Sequence, residues 1–366
     1  MCIGRWIGRL AAAPLAAAAA ELSPCGDVAL REPPRAAVVQ DANFAEMVVA
    51  SGRPVTLWAT APAEPSRCVF WDRIPGFSPT GRVTFACGLA PAPGAGFAFD
   101  RELLLALRPD VLHIDPVQLG LAKGWSPEAV AAVRKTVAPF FANRFSRDFN
   151  PPRGVAGYRC YPIPELARRM GALYGAEART ERLLALVAEA EAQVAARLAG
   201  AAPPRVALLY YGGRGRMTPF RLGAGNGQAQ YRVLGARDAY AGVGLADYAA
   251  RGPGLSMDLE TLLAVDPDVI VMPFAGAAPP GDRHARAFSD LLALRRHPLA
   301  RRLRAFASGR VYPGGTPLQG PVIYLFQLEM AAKQLYPDRF GAWRADGAYP
   351  PDARLFDRAA LADVLN

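Results

Sequence analysis

Residues 102–114 read ELLLALRPDVLHI, and residues 260–272 read ETLLAVDPDVIVM. Seven of the thirteen aligned positions are identical: Glu, Leu, Leu, Ala, Pro, Asp and Val. Each copy is an apolar stretch at helical spacing, a Pro-Asp break, and then a β-rich apolar run. That pattern predicts a short helix feeding a buried strand, which is half of a βαβ unit. The copies begin 158 residues apart (260 minus 102), too far for a solenoid repeat. They predict two lobes of like architecture with a cleft between them.

The flanking sequence extends both units. AAVV (36–39) and VTLWAT (55–60) read as strands around the helix NFAEMVVASG, which Asp41 caps and Gly52 ends. A helix at 127–135 and a strand at 136–142 follow the first copy. In the second half, RVALLYY (205–211) reads as a strand, GGRGRMTPFRLGAGNGQ as a loop, 229–235 as a helix, 297–307 as a basic helix, and GPVIYLFQLEMAAKQLYPDRF as a closing helix ended by Pro337. Strands alternating with helices predict parallel sheets covered on both faces. Between the halves, residues 176–200 are rich in Ala, Leu, Glu and Arg, with no Gly or Pro until Gly200. About 24 residues at ~1.5 Å each reach ~36 Å, enough to link two lobes.

Composition narrows the function. A chain of 366 residues with 52% hydrophobic content has room for two cores. The net charge of +10 favours an acidic partner. Lys123, Lys135 and Lys333 are the only lysines, so arginine carries that charge. No Lys/Arg block of five and no nucleic-acid signature occurs, so no nucleic acid is expected. RRHPLARRLR (295–304), the densest basic tract, reads as a solvated helix face.

MCIGRWIGR followed by LAAAPLAAAAA is a basic n-region and a short apolar h-region, and Ala18-Ala19-Ala20 offers a cleavage site. Residues 1–20 therefore read as a signal peptide; the other reading is an Ala-rich, poorly ordered terminus. Cys25, Cys68, Cys87 and Cys160 remain after it. Four cysteines allow three pairings. Cys68 and Cys87, flanking a Pro/Gly-rich loop, are the expected disulfide, with four reduced cysteines as the alternative. Pro24 argues against a lipid anchor at Cys25.

The whole arrangement resembles the substrate-binding proteins of ABC importers for ferric siderophores and vitamin B12, also called class III periplasmic binding proteins. The pieces that carry the resemblance are NFAEMVVASG, RELLLALRPDVLHID, LETLLAVDPDVIVMP and GRVYPGG…LYPDRF, and it extends over roughly 33–340. It implies two Rossmann-like α/β lobes with parallel sheets, joined by one long backbone helix, with the ligand in the cleft and little hinge motion. The boundaries are then an N-terminal lobe at 33–160, linking helices at 161–200, a C-terminal lobe at 201–340 and a tail at 341–366. It also implies an exported, periplasmic, monomeric protein that delivers a small-molecule metal chelate to an ABC permease dimer. A Glu on each lobe, seven residues before the Pro-Asp, docks onto permease arginines in that family; Glu102 and Glu260 stand there. A helix dipole also favours Glu at these positions without any docking.

Ligands of parallel sheets bind beyond the C-terminal strand ends. The segments predicted there are rich in arginine and aromatics. Trp58, Trp71, Arg144, Tyr158, Tyr211, Arg214, Arg216, Arg221 and Phe274 are the candidate ligand contacts. Arg binds carboxylate-like oxygens in bidentate fashion and stacks on flat rings, so an anionic ferric siderophore fits best, with cobalamin, haem or another metal complex as alternatives. With only His113, His284 and His297, a histidine metal centre is not expected. Ligation of bare iron by Tyr158, Tyr161, Tyr210 or Tyr211 stays open. GAGNGQ (223–228) has Gln228 where a dinucleotide fingerprint needs glycine, and no P-loop or G-x-S-x-G occurs. No cofactor and no enzymatic activity are therefore expected; a two-lobed glycosyltransferase-like enzyme is the alternative of another class.

Overall fold

The structure is a computed structural model that describes residues 28, 30–39, 42–59, 71–78, 83–85, 101–114, 126–141, 161–222, 229–241, 256–277, 282–316 and 319–366. The first sheet has the order β3-β2-β1-β4, all parallel, from β1 (Ala36–Val39), β2 (Val55–Ala59), β3 (Val83–Phe85) and β4 (Val111–His113). Helices α1 (Ala42–Ala50), α2 (Arg101–Leu107) and α3 (Pro127–Thr136) accompany it. The second sheet is β6-β5-β8-β9, from β5 (Arg205–Tyr211), β6 (Met217–Phe220), β8 (Val269–Met272) and β9 (Val311–Pro313), with the two-residue β7 (Arg237–Asp238) also on β5. Its helices are α6 (Ala229–Val233), α7 (Leu259–Val265), α8 (Arg283–Ala293) and the short α9 (Arg304–Ala307). Between the sheets run α4 (Ile163–Leu173) and the 21-residue α5 (Glu177–Arg197). At ~1.5 Å per residue α5 spans ~32 Å, and its Leu183, Val187, Ala190 and Val194 form one buried stripe. The expected class, two α/β lobes on a backbone helix, is what is seen.

The repeated motif has a repeated hydrogen-bonding reason. Arg108 (φ 47°) and Asp266 (φ 39°) both turn left-handed as α2 and α7 end, because the proline that follows disfavours the right-handed helical region. The Asp after each proline then clasps the start of the neighbouring strand. Asp110 Oδ2 accepts from the backbone N–H groups of Arg35 (2.8 Å) and Ala36 (2.9 Å) at the head of β1. Asp268 Oδ2 accepts from the N–H of Arg205 (2.8 Å) at the head of β5. The Pro-Asp pair thus ends a helix and sets the strand register in both lobes.

The lobes share one core. Its largest apolar cluster runs from Val39 and Phe44 in the first lobe through α5 to Val206 and Val271 in the second. At its centre lies α10 (Pro321–Leu335), buried on every side except at Met330. A helix apolar all round belongs inside, and its few polar side chains all find partners. Gln327 donates to Thr316 O (2.9 Å), and Gln334 donates to Pro313 O (3.0 Å). Lys333 donates to Phe340 O and Ala353 O, and Glu329 pairs with Arg358. Those last contacts recruit the tail. Beyond α11 (Pro337–Phe340), Leu355, Phe356, Leu361 and Leu365 are buried, and α12 (Arg358–Leu365) packs on α5, where Arg179 donates to Leu365 O (2.7 Å).

Several elements differ from expectation. The tract read as a basic helix at 297–307 is a 3-10 turn (300–302) and the short α9, and an extended His297 separates it from another 3-10 turn at 294–296. The run read as a strand at 136–142 forms a single bridge, Leu112 to Phe140. Strand β3 lies inside the segment read as irregular, and α8 and α12 were not foreseen. No described helix is long and apolar enough to cross a membrane.

Glu46 of α1 reaches across to the N-terminus of α10, accepting from the N–H of Gly320 (2.9 Å) and of Val322. Burial pushes its carboxyl up to about 8 from the ordinary 4.5, against the pull of these backbone donors. Between those values the folded chain binds more protons than the unfolded chain, so stability falls as pH rises through that window. Urea titrations from pH 5 to 8 should show this fall in the wild type and a flatter profile in Glu46→Gln.

Candidate functional site

The C-terminal ends of β5, β8 and β9 carry the described part of the site. After β5 the chain turns straight back: Gly212 N–H donates to Arg216 O (2.9 Å) and Arg216 N–H to Gly213 O (3.0 Å). The stretch GGRGR is therefore the turn of a β-hairpin, with Tyr211 paired to Met217 in antiparallel register. Glycines at 213 and 215 and Arg214 (φ 50°) take the left-handed conformations it needs. The turn leaves Arg214 and Arg216 exposed, with Arg221 exposed just past β6.

After β8, Phe274 sits at φ 70°, a conformation costing a non-glycine residue about 1–3 kcal/mol. The strand-end pair that holds it is tightly packed. Phe274 N–H donates to Gly315 O (2.9 Å), and Gly276 N–H to Gly314 O (2.8 Å). A side chain on Gly314 would meet Val271 Cγ1 at 2.8 Å and Met272 O at 3.2 Å, and one on Gly276 would meet Gly314 O at 3.0 Å. Only glycine fits at these two points, and their closeness presents Phe274.

The Phe274 ring stacks on His284, with centroids 5.3 Å and planes 28° apart, and Tyr210 meets the same imidazole edge-on at 5.5 Å. His284 opens α8, its N–H capped by Asp282 (2.7 Å). Its Nε2 takes a hydrogen bond from Arg283 Nε (3.2 Å), which leaves the proton on Nδ1. Burial, and then the Arg283 charge, lower its pKa, so the ring is held neutral.

Where α6 meets α10, Gln319 donates to Gln230 (2.9 Å), which donates to Gln327 (3.4 Å). Asn43, one turn before Glu46 on α1, is fully buried with neither carboxamide atom hydrogen-bonded. A cavity of about 460 Å³ lies elsewhere, between residues 28–33 and α4 against Phe141 and Arg169. It is away from the strand ends and carries no constellation of this kind.

The expected residues divide accordingly. Arg214, Arg216 and Phe274 lie at the C-terminal ends of β5 and β8 in the second lobe, whereas Arg221 does not join them: Phe220 pairs with Leu208, so β6 carries Arg221 back toward the start of β5, where Leu222 N–H donates to Asp238 (3.3 Å). Tyr211 is buried, its hydroxyl accepting from Gly215 N–H (3.2 Å), so it braces the hairpin from inside. Its neighbour Tyr210 joins the aromatic wall instead. Trp58 is half-buried at the end of β2. Trp71 lies in the core with Phe77, centroids 5.2 Å apart. Glu102 and Glu260 are exposed in the first turns of α2 and α7. Arg144, Tyr158, Cys68, Cys87, Cys25 and residues 1–20 lie outside the described residues. His113 is a core residue stacked on Phe44, 2.8 Å from the Tyr174 hydroxyl, and burial pulls its pKa down to about 3. No group of three His, Cys, Asp or Glu that could hold a metal occurs among the described residues. His284 was missed because its role depends on α8 and the β8 turn meeting, which no sequence spacing encodes.

With this geometry in hand, comparison with known proteins is informative. The sequence matches the profile of the periplasmic binding protein family over residues 93–316. A search of curated proteins gave no match. Among solved structures, an ABC-type Fe3+-hydroxamate transport protein of Saccharomonospora viridis is similar with TM-score 0.57 and 17% identity, covering 85% of this chain and 97% of its own. The apo periplasmic heme-binding protein RhuT of Roseiflexus has TM-score 0.53 and 18% identity, with 86% and 99% covered. A FhuD fold-family component of a ferrichrome ABC transporter from Bacillus subtilis has TM-score 0.51 and 17% identity, with 83% and 98% covered.

The glycine contact carries a direct consequence. Gly314→Ala should cost about 1–3 kcal/mol by overpacking the turn, read as a lowered urea midpoint. The Phe274–Tyr210 wall should loosen with it.

Proposed function

The chain belongs to the periplasmic binding protein family, and from that premise we propose that it is the extracytoplasmic substrate-binding component of an ABC importer for an anionic iron chelate of the siderophore type. Membership makes it a binding protein rather than an enzyme, which removes the glycosyltransferase-like alternative. The observation that carries the choice of ligand is the exposed arginine turn, Arg214 and Arg216, at the C-terminal end of β5. Two exposed guanidinium groups on a braced hairpin attract anionic oxygens and bind them in bidentate geometry. Neighbours of the same fold include a hydroxamate-type and a heme-binding protein, so the metal complex is the open variable. In this reading Phe274 completes the wall on the second lobe, and Arg221, carried by β6 back toward the start of β5, takes no part in it. Trp58, Arg144 and Tyr158 are the proposed first-lobe contacts, and Tyr211 and Trp71 act behind the surface.

Residues 1–20 serve as the export signal, Cys68 and Cys87 pair in the oxidising compartment, and the mature chain works as a monomer with lobes at 33–160 and 201–340. Delivery uses Glu102 and Glu260. Each stands exposed in the first turn of an equivalent helix, one per lobe, suited to meet arginines on two permease subunits at once.

Intrinsic fluorescence of the mature chain, titrated with ferric siderophores, ferric citrate, cobalamin and haemin, tests the ligand. Saturable quenching by an anionic ferric chelate but not by cobalamin is expected, with the double variant Arg214→Ser/Arg216→Ser weakening it at least tenfold. Quenching by cobalamin alone would discard the charge argument. For delivery, Glu102→Arg with Glu260→Arg should abolish uptake in reconstituted vesicles while leaving chelate affinity within twofold of wild type.

A further inference from the structure

Phe274 holds a conformation that L-residues avoid, and the described core gains nothing from it. Its ring belongs to none of the three apolar clusters among the described residues; the ring it touches is that of His284. Strain that does no packing work is a pointer to function. The strain has a geometric result: half-buried Phe274 stands at the C-terminal end of β8, the side of a parallel sheet where ligands bind. Behind it the neutral imidazole lies nearly parallel, and Tyr210 closes the far edge. Three rings from three elements, β5, the β8 turn and α8, make one wall. Cations belong to the same strand-end side: Arg283, hydrogen-bonded to His284, and the exposed Arg214 and Arg216 in the turn that follows β5.

A flat aromatic face backed by a second ring favours offset stacking on a conjugated partner. Flanking guanidinium groups favour anionic substituents on that partner. An aliphatic chelate of equal charge would satisfy the arginines and leave the wall unused. Building on the chelate-binding reading above, we propose that the Phe274–His284–Tyr210 wall is a specificity element. It selects metal chelates whose ligands are flat, conjugated, anionic rings over anionic chelates with aliphatic donors. Two sources share that chemistry, catecholate complexes and ferric tetrapyrroles.

The test uses the mature chain and three probes: the ferric complex of 2,3-dihydroxybenzoate, haemin, and ferric citrate as the anionic aliphatic control. The wild type is expected to bind one or both ring-bearing probes more tightly than ferric citrate; which one binds identifies the source. Phe274→Leu keeps bulk but removes the ring. It should weaken the ring-bearing probe about five- to tenfold and leave ferric citrate within twofold. Phe274→Gly relieves the backbone and removes the ring, so it should raise Tm while losing the preference. A structural residue would instead lower Tm when cut to glycine, and that result overturns the proposal. So does ferric citrate binding as tightly as the ring-bearing probes, or Phe274→Leu weakening all three alike; both leave the chelate-binding reading standing. Failure of all three probes to bind would overturn the proposal and that reading together.

Discussion

One buried carboxyl group joins the two halves of this molecule. Glu46 leaves the first helix of the first lobe and ends on the N-terminus of α10, the helix around which the second lobe and the tail are built. A helix N-terminus presents unpaired N–H groups and partial positive charge, and here a side chain from 274 residues earlier meets them. The approach is close: a side chain on Gly320 would meet the Glu46 carboxyl at 2.9 Å. With α5 along one side and a continuous apolar cluster beneath, the lobes have little freedom to hinge. In the proposed reading the cleft is correspondingly preorganised, and ligand selection rests on the chemistry of its walls.

Much of the fold was legible because it is written in local terms. The Glu-to-Pro-Asp repeat encodes helix, left-handed exit and strand, and the aspartates that make the repeat conspicuous are the ones that clasp β1 and β5. The long helix showed through its lack of Gly and Pro, and β5 through its short run of apolar and aromatic residues before a glycine turn. What was not legible depends on distant meetings. Strand β3 is three residues long and takes its identity from pairing with β2. The basic tract read as a helix because its charges fall at helical spacing, yet Pro298 and the pull of Asp266 and Asp268 on Arg304 divide it into turns.

The site was half legible for the same reason. The arginines of GGRGR were visible, since glycine-flanked cations after a strand have little else to do. That the turn is a hairpin came from β6, which follows it without a composition signal. The period-two alternation of β5 decides which tyrosine faces inward, and the sequence alone does not say on which side the core lies. Tyr211 went in and Tyr210 out to the wall. His284 sits twelve residues past Met272, the end of β8 (284 minus 272), and only the folded chain sets it behind Phe274.

The burial of α10 also orders events in time. Glu329 is fully enclosed, and its counter-charge is Arg358, lodged between Phe326 and Phe356. Until that arginine has been synthesised, the centre of the molecule holds an unpaired buried charge, a burden of about 3–5 kcal/mol. The backbone helix likewise waits for the Leu365 carbonyl to meet Arg179. Each sheet can register early, because its clasping aspartate lies in its own lobe. The common centre closes only when the last dozen residues arrive. With β9 at Val311–Pro313 and Arg358 later still, the second sheet and then the common centre are completed only in the final stretch of synthesis.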